Sequence, residues 1–244
     1  MDLTSLNDDD DNDAVRRLCA QAYSQGGKVA AVCVYPQFIL AAKQALKVAG
    51  AEDVHVATVT NFPHGLANID IALRETSLAI GAGADEVDLV FPYQAWLNGD
   101  KEVGIDMVKQ CKALCQGHAR LKVIIETGML KEPEIIRAVS VACIRAGVDF
   151  IKTSTGKVPV NATLEAAEIM LSAIKEENAQ GRCGFKAAGG VRTANEARDY
   201  LNLARNIMGE DWVTAQNFRF GASSLLGDLL EKLGYGTQRT HSQY

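Results

Sequence analysis

The sequence predicts a single α/β domain closed as an eight-stranded parallel barrel, the (β/α)8 or TIM barrel. Three observations carry that reading. Short β-branched runs alternate with helix-period segments from end to end. There are eight such runs, the number that closes a barrel of this kind. The glycine-rich loops follow the last two strands, where such barrels bind phosphate, whereas an open doubly wound sheet usually carries its phosphate loop after the first strand. A length of 244 residues suits one large domain or two small ones. The absence of a Pro/Ser-rich linker or a break in composition favours one, over residues 1–234, with residues 235–244 as a tail.

The strand candidates, in order, are Met1–Thr4, Ala30–Tyr35, Val54–Thr60, Glu86–Phe91, Leu121–Glu126, Phe150–Thr153, Gly184–Ala187 and Arg219–Ala222. A helix is expected after each of them, except where the chain ends in its tail. PQFILAAKQALKVAG opens with a proline in the first turn and closes on glycine, and NIDIALRETSLAIGAGA opens on an asparagine cap. The run Asp8 to Asp11 with Asp13 lacks the glycine and terminal glutamate of a calcium loop and reads as acids favouring a helix start. The tail from Tyr235 to Tyr244 has no hydrophobic period and is expected to be mobile.

Composition narrows the function classes. With 48% hydrophobic and 23% charged residues the chain resembles an ordinary soluble domain, and a net charge of −5 leaves no basic excess for nucleic acid. No apolar run is long enough to span a bilayer, and MDLTSLNDDDDND is the reverse of a signal peptide, so a cytoplasmic protein with no membrane partner is expected. Cys19, Cys33, Cys111, Cys115, Cys143 and Cys183 are scattered through apolar or helical stretches and read as reduced thiols. With four histidines and none spaced to complete a zinc site, no metal is expected.

The chemistry is carried by lysines. In DFIKTSTGKV, Lys152 and Lys157 flank a Ser/Thr/Gly run, and GFKAAGGVRT repeats the arrangement with Lys186 ahead of a glycine pair. An ammonium is normally kept out of a packed interior. Alternation along each strand puts Asp88 on a face with Glu86, and Lys122 with Ile124 and Glu126. It puts Lys152 with Phe150 and Ser154, and Lys186 with Gly184 and Ala188. If these faces point inward, acid and ammonium groups from strands four to seven converge, with Asp88, Lys152 and Lys186 at the catalytic C-terminal rim. Two lysine nitrogens about 5 Å apart repel by about 3 kcal/mol at an effective dielectric near 20, which leaves one as a free amine near neutrality. Such an amine attacks a carbonyl to form a Schiff base, the electron sink for breaking a neighbouring C–C bond. Lys122 taken alone reads as structural, salt-bridged or with a stem reaching the surface, or as lining the pocket. Cys33 reads as pocket lining or core, and His64 as a loop residue. Gly189 and Gly190, with Ser223 and Ser224 where a helix begins, suit a phosphate.

With IKTSTGK, GFKAAGG, ADEVDLVFPY, ATVTNFPHG and RFGASS in view, the sequence resembles the deoxyribose-phosphate aldolases over essentially its whole length. That resemblance implies Lys152 as the Schiff-base nucleophile, Lys186 as the neighbour lowering its pKa, and Asp88 as a water-assisted proton carrier. It also implies phosphate binding by Thr155, Gly156, Lys157, Gly190, Val191, Gly221, Ser223 and Ser224. Asp2 falls on the family's acidic residue at the end of strand one, and Tyr244 on its terminal tyrosine, associated with protonating the enamine. The implied reaction is reversible cleavage of 2-deoxy-D-ribose 5-phosphate to acetaldehyde and D-glyceraldehyde 3-phosphate, in deoxyribose catabolism, with no cofactor. The implied partners are phosphorylated sugars and aldehydes, and a homodimer is compatible with the reading. Similar enzymes usually begin with a further helix, expected here to be absent before strand one. A metal-dependent aldolase or isomerase, or a barrel that only binds phosphosugars, are the alternatives.

Overall fold

The computed structural model describes residues 1–235, so the predicted tail beyond Tyr235, with Tyr244, lies outside the described residues. Eight parallel strands close on themselves: β1 Asp2–Thr4, β2 Ala31–Val34, β3 His55–Thr60, β4 Glu86–Val90, β5 Arg120–Ile124, β6 Phe150–Lys152, β7 Gly184–Ala188 and β8 Phe218–Ala222. The main helices are α1 Asn12–Gln21, α2 Ile39–Val48, α3 Ile69–Gly81, α4 Glu102–Cys115, α5 Pro133–Arg145, α6 Leu164–Glu176, α7 Ala194–Met208 and α8 Leu225–Lys232. One follows each strand, as the alternating pattern predicts.

Helix starts follow from side chains that satisfy orphan backbone donors. Asp11 accepts from the Ala14 N–H, so the acidic run starts α1. Asn68 caps α3, Thr163 caps α6, and Thr193 with Glu196 forms a reciprocal capping box on α7. Each such cap contributes about 1 kcal/mol.

Register is held by a repeated device. Asp85, just ahead of β4, accepts the Val56 N–H of β3 at 2.7 Å and the Lys43 ammonium at 2.5 Å. Asp149, just ahead of β6, accepts the Leu121 N–H of β5 at 2.7 Å and the Lys112 ammonium at 2.6 Å. A slip of one residue would turn every inward side chain outward. These aspartates therefore fix where Asp88 and Lys152 point.

Alternate strand residues such as Val32, Val56, Val87, Leu121, Ile151 and Phe185 belong to the large apolar core that includes residues of the surrounding helices. Inside the barrel, Ala31, Cys33, Ala57 and Val59 pack with Leu6. The other side of the interior, from β4 round to β1, is charged.

Two local features depart from the sequence reading. Strand β5 stops at Ile124, and Glu126 adopts a left-handed backbone (φ 58°), so it does not continue the face of Lys122 and Ile124. A two-stranded hairpin, Tyr23–Ser24 with Gly27–Lys28, sits between α1 and β2, where no strand is predicted. All six cysteines are unpaired and buried. Among the described residues no helix is long and apolar enough to cross a membrane.

Candidate active site

Four parallel strands bring Asp88 (β4), Lys122 (β5), Lys152 (β6) and Lys186 (β7) together in the barrel interior, where each is at most 3% exposed. Asp88 is the hub. Its Oδ2 accepts from Lys152 and from Lys186, each at 2.8 Å, and its Oδ1 accepts from Lys122 at 2.8 Å. Lys186 donates as well to Asp2 Oδ2 at 2.6 Å. Below them, Lys122 pairs with Glu86 at 2.5 Å, and Arg219 bridges Asp2 at 2.6 Å and Glu86 at 3.1 Å. His55 Nδ1 lies 2.8 Å from Glu86.

The number of carboxylates around each lysine decides its basicity. Burial disfavours the charged form of all three. Lys152 meets one carboxylate, Asp88; burial, aided by the Lys186 ammonium, wins, and its pKa is lowered. Lys186 meets two, Asp2 and Asp88, which overcome burial and raise its pKa. Lys122 meets three, counting Asp2 at 3.5 Å, and its pKa stands well above the usual value. The carboxylates move the opposite way. Burial opposes the charged forms of Asp2 and Asp88, but the surrounding cations hold both well below the usual range. Glu86 is likewise held at about 2 against burial, by Lys122 and the hydrogen bond from His55.

One expectation needs correction here and a second needs its main cause restated. Lys122 neither reaches the surface nor lines the cleft, because three carboxylates inside the barrel hold its ammonium. Lys186 lowers the Lys152 pKa in the expected direction, but burial is the larger cause, and the Asp88 oxygen that the two lysines share opposes both.

Above this cluster, at the C-terminal ends of the strands, a cleft of about 380 Å³ opens. Lys152 lines it together with Thr155, Gly156, Lys157, Gly189, Gly190, Val191, Gly221, Ser223 and Ser224. Gly189 and Gly190 have φ of +81° and +91°, a backbone region that favours glycine. Ser223 and Ser224 precede α8, whose N-terminus favours an anion. Asp2, Asp88 and Lys186 are not among the residues that line this cleft, and Cys33 sits in the apolar part of the barrel interior.

Sequence reasoning missed several neighbours. The segment Thr4 to Asn7, Gln21 and Arg192 also line the cleft. Glu86 and Arg219 complete the buried ion cluster; the former was visible as a partner of Asp88 on its face, but not its ionic role. Glu126 is fully buried and accepts from the Thr155 N–H at 3.2 Å and the Thr155 hydroxyl at 2.6 Å, which orients the loop after β6. Burial raises its pKa. Among the described residues no group of three or more His, Cys, Asp or Glu side chains is arranged to hold a metal ion.

Comparison with solved structures gives the same architecture. The chain matches a provisionally assigned deoxyribose-phosphate aldolase from Toxoplasma gondii ME49 with a TM-score of 0.85 at 26% identity, over 97% of this chain and 92% of that one. A provisionally assigned deoxyribose-phosphate aldolase from Coccidioides immitis matches with a TM-score of 0.77 at 29% identity, over 93% and 83%. The tetrameric deoxyribose phosphate aldolase of Aeropyrum pernix shares the fold, with a TM-score of 0.73 at 23% identity over 96% and 88%. The sequence pattern described as DeoC/LacD family aldolase matches residues 1–230, nearly the whole chain, and on that match the protein belongs to this family of aldolases.

Proposed function

We propose that this aldolase reversibly cleaves 2-deoxy-D-ribose 5-phosphate to acetaldehyde and D-glyceraldehyde 3-phosphate, through an imine on Lys152. One observation carries the reading: of the three lysines around Asp88, Lys152 alone lines the cleft, and it alone has a lowered pKa. The substrate named in the related structures is the one that the cleft suits, with a Gly/Ser-lined end beside the α8 N-terminus for the phosphate.

In the forward direction the neutral Lys152 amine attacks the C1 aldehyde of the open-chain sugar, and water leaves to give the protonated imine. Loss of the C3 hydroxyl proton breaks the C2–C3 bond, whose electron pair moves into the imine as an enamine. Glyceraldehyde 3-phosphate departs, C2 takes a proton, and hydrolysis frees acetaldehyde and the amine. Asp88 holds the Lys152 and Lys186 side chains in place. Both of its oxygens are occupied by ammonium groups, so the proton that it passes is one already shared with a lysine. Lys186 supplies the fixed positive charge beside Lys152. Tyr244 keeps the enamine-protonating role that the family resemblance gives it. No cofactor enters this chemistry, since the imine serves as the electron sink, and a cytoplasmic location fits it.

Borohydride reduction with acetaldehyde, followed by peptide mass mapping, tests the proposal. An ethyl group is expected on Lys152. Labelling confined to Lys186 would reverse the roles, and active protein that takes no label but loses activity to a chelator would replace the imine mechanism with a metal-dependent one.

A further inference from the structure

Arg219 and Glu86 are buried charges that the proposed chemistry does not use. They occupy the first half of β8 and β4, neither lines the cleft, and they are at most 3% exposed. Arg219 lies against the Phe150 ring, 5.6 Å from its centroid, which closes the space beneath Lys152. Burying two charges here costs more than their mutual attraction returns unless they serve a wider arrangement.

The arrangement is electrostatic. Apart from Lys152, the contiguous cluster contains three carboxylates, Asp2, Glu86 and Asp88, and three cations, Lys122, Lys186 and Arg219. These six charges cancel. A protonated Lys152 would leave one uncompensated positive charge in the interior of the barrel, and a neutral amine leaves none. We propose that Arg219 and Glu86 are positioning residues for Lys152, completing a buried cluster that is balanced only while the Lys152 amine is uncharged. This rests on the reading of Lys152 as the nucleophile.

Other titratable groups face the cluster. Cys33 is near Lys152, and burial raises its pKa, which keeps the thiol neutral. Glu126, also near Lys152, is hydrogen-bonded by Thr155, and burial moves it towards its neutral form. His55 contacts Glu86 from the half-exposed start of β3. The α-amino group of Met1 lies near Asp2 and Arg219, and burial favours its neutral form.

The test is the pH dependence of imine trapping on Lys152 by acetaldehyde and borohydride, in Glu86→Gln, Arg219→Met, the double variant and Arg219→Lys. Glu86→Gln removes a negative charge, so the trapping midpoint is expected to move to lower pH. Arg219→Met removes a positive charge, so it is expected to move to higher pH. A unit charge about 10 Å away at an effective dielectric near 20 corresponds to about one pH unit in each direction. The double variant and Arg219→Lys restore the balance and are expected to return the midpoint to the wild-type value. A purely structural role would not give opposite signs that cancel.

Shifts of the same sign, or no shift in folded Glu86→Gln, overturn the proposal. Gln keeps the shape of Glu86 and an acceptor oxygen for one of its two partners, Lys122 and Arg219, so this arm decides if Arg219→Met fails to fold. Failure of Glu86→Gln to fold also counts against it, because residues that serve charge balance are not needed for the fold itself. Wild-type protein that traps no imine at any pH would instead overturn the function proposed above.

Discussion

A Cβ at Gly221 would lie 2.9 Å from Cε of Lys186, so the bare backbone of β8 is what lets the Lys186 stem cross to Asp88 and Asp2. The same Cβ would stand 3.1 Å from that of Ala188 on the neighbouring strand, which leaves little room to yield.

Gly221→Ala is therefore expected to cost about 1–3 kcal/mol of stability through overpacking. It should also lower kcat at least tenfold, because a displaced Lys186 leaves Asp88 freer to hold Lys152 as an ammonium. The rate optimum should move to higher pH. Thermal melting and a pH–rate profile check this; unchanged values for both would show that the lysine stem moves aside at no cost.

Much of this geometry was legible in the sequence because strands have a strict two-residue period. Once eight strands are placed, the period puts Asp88, Lys152 and Lys186 each on the inward face of its strand, and the glycines after β7 and β8 frame one rim. What the pattern could not show was distance across the barrel. Arg219 and Glu86 lie on β8 and β4, far apart in sequence and not adjacent in the sheet, and they meet only because the barrel closes. The partners of Lys122 were hidden for the same reason, since they come from β1 and β4. Glu126 escaped because its left-handed backbone breaks the alternation that the reading relied on.

The ion cluster should also govern acid stability. A carboxylate whose folded pKa is depressed contributes stability that is present above its unfolded value and lost as pH falls through the folded one. For Glu86 that window runs from the usual 4.5 down to about 2, with Asp2 and Asp88 acting in the same direction. Urea unfolding at pH 6 is expected to show Glu86→Gln less stable than wild type by ~3 kcal/mol, the linkage equivalent of that displacement. The difference should shrink towards zero near pH 2, where Glu86 is itself protonated. A gap that stays constant across the range would mean that shape and not charge makes the contribution of Glu86.

The phosphate end of the cleft can be tested apart from the amine. Ser224 lies at the start of α8 among the cleft-lining residues, where helix N–H groups and the macrodipole favour an anion. A carboxylate in its place would occupy that field and repel a phosphate dianion. Ser224→Asp is thus expected to raise KM for deoxyribose 5-phosphate at least tenfold and to change KM for unphosphorylated deoxyribose by less than twofold. Lys152 keeps its partner Asp88, so imine trapping with acetaldehyde should proceed at the wild-type rate. Inorganic phosphate is expected to compete with the phosphorylated substrate in the wild type and to lose that effect in the variant. Equal losses on the two sugars would place the phosphate elsewhere along the rim, with Lys157 and Arg192 as the cations of the cleft left to receive it.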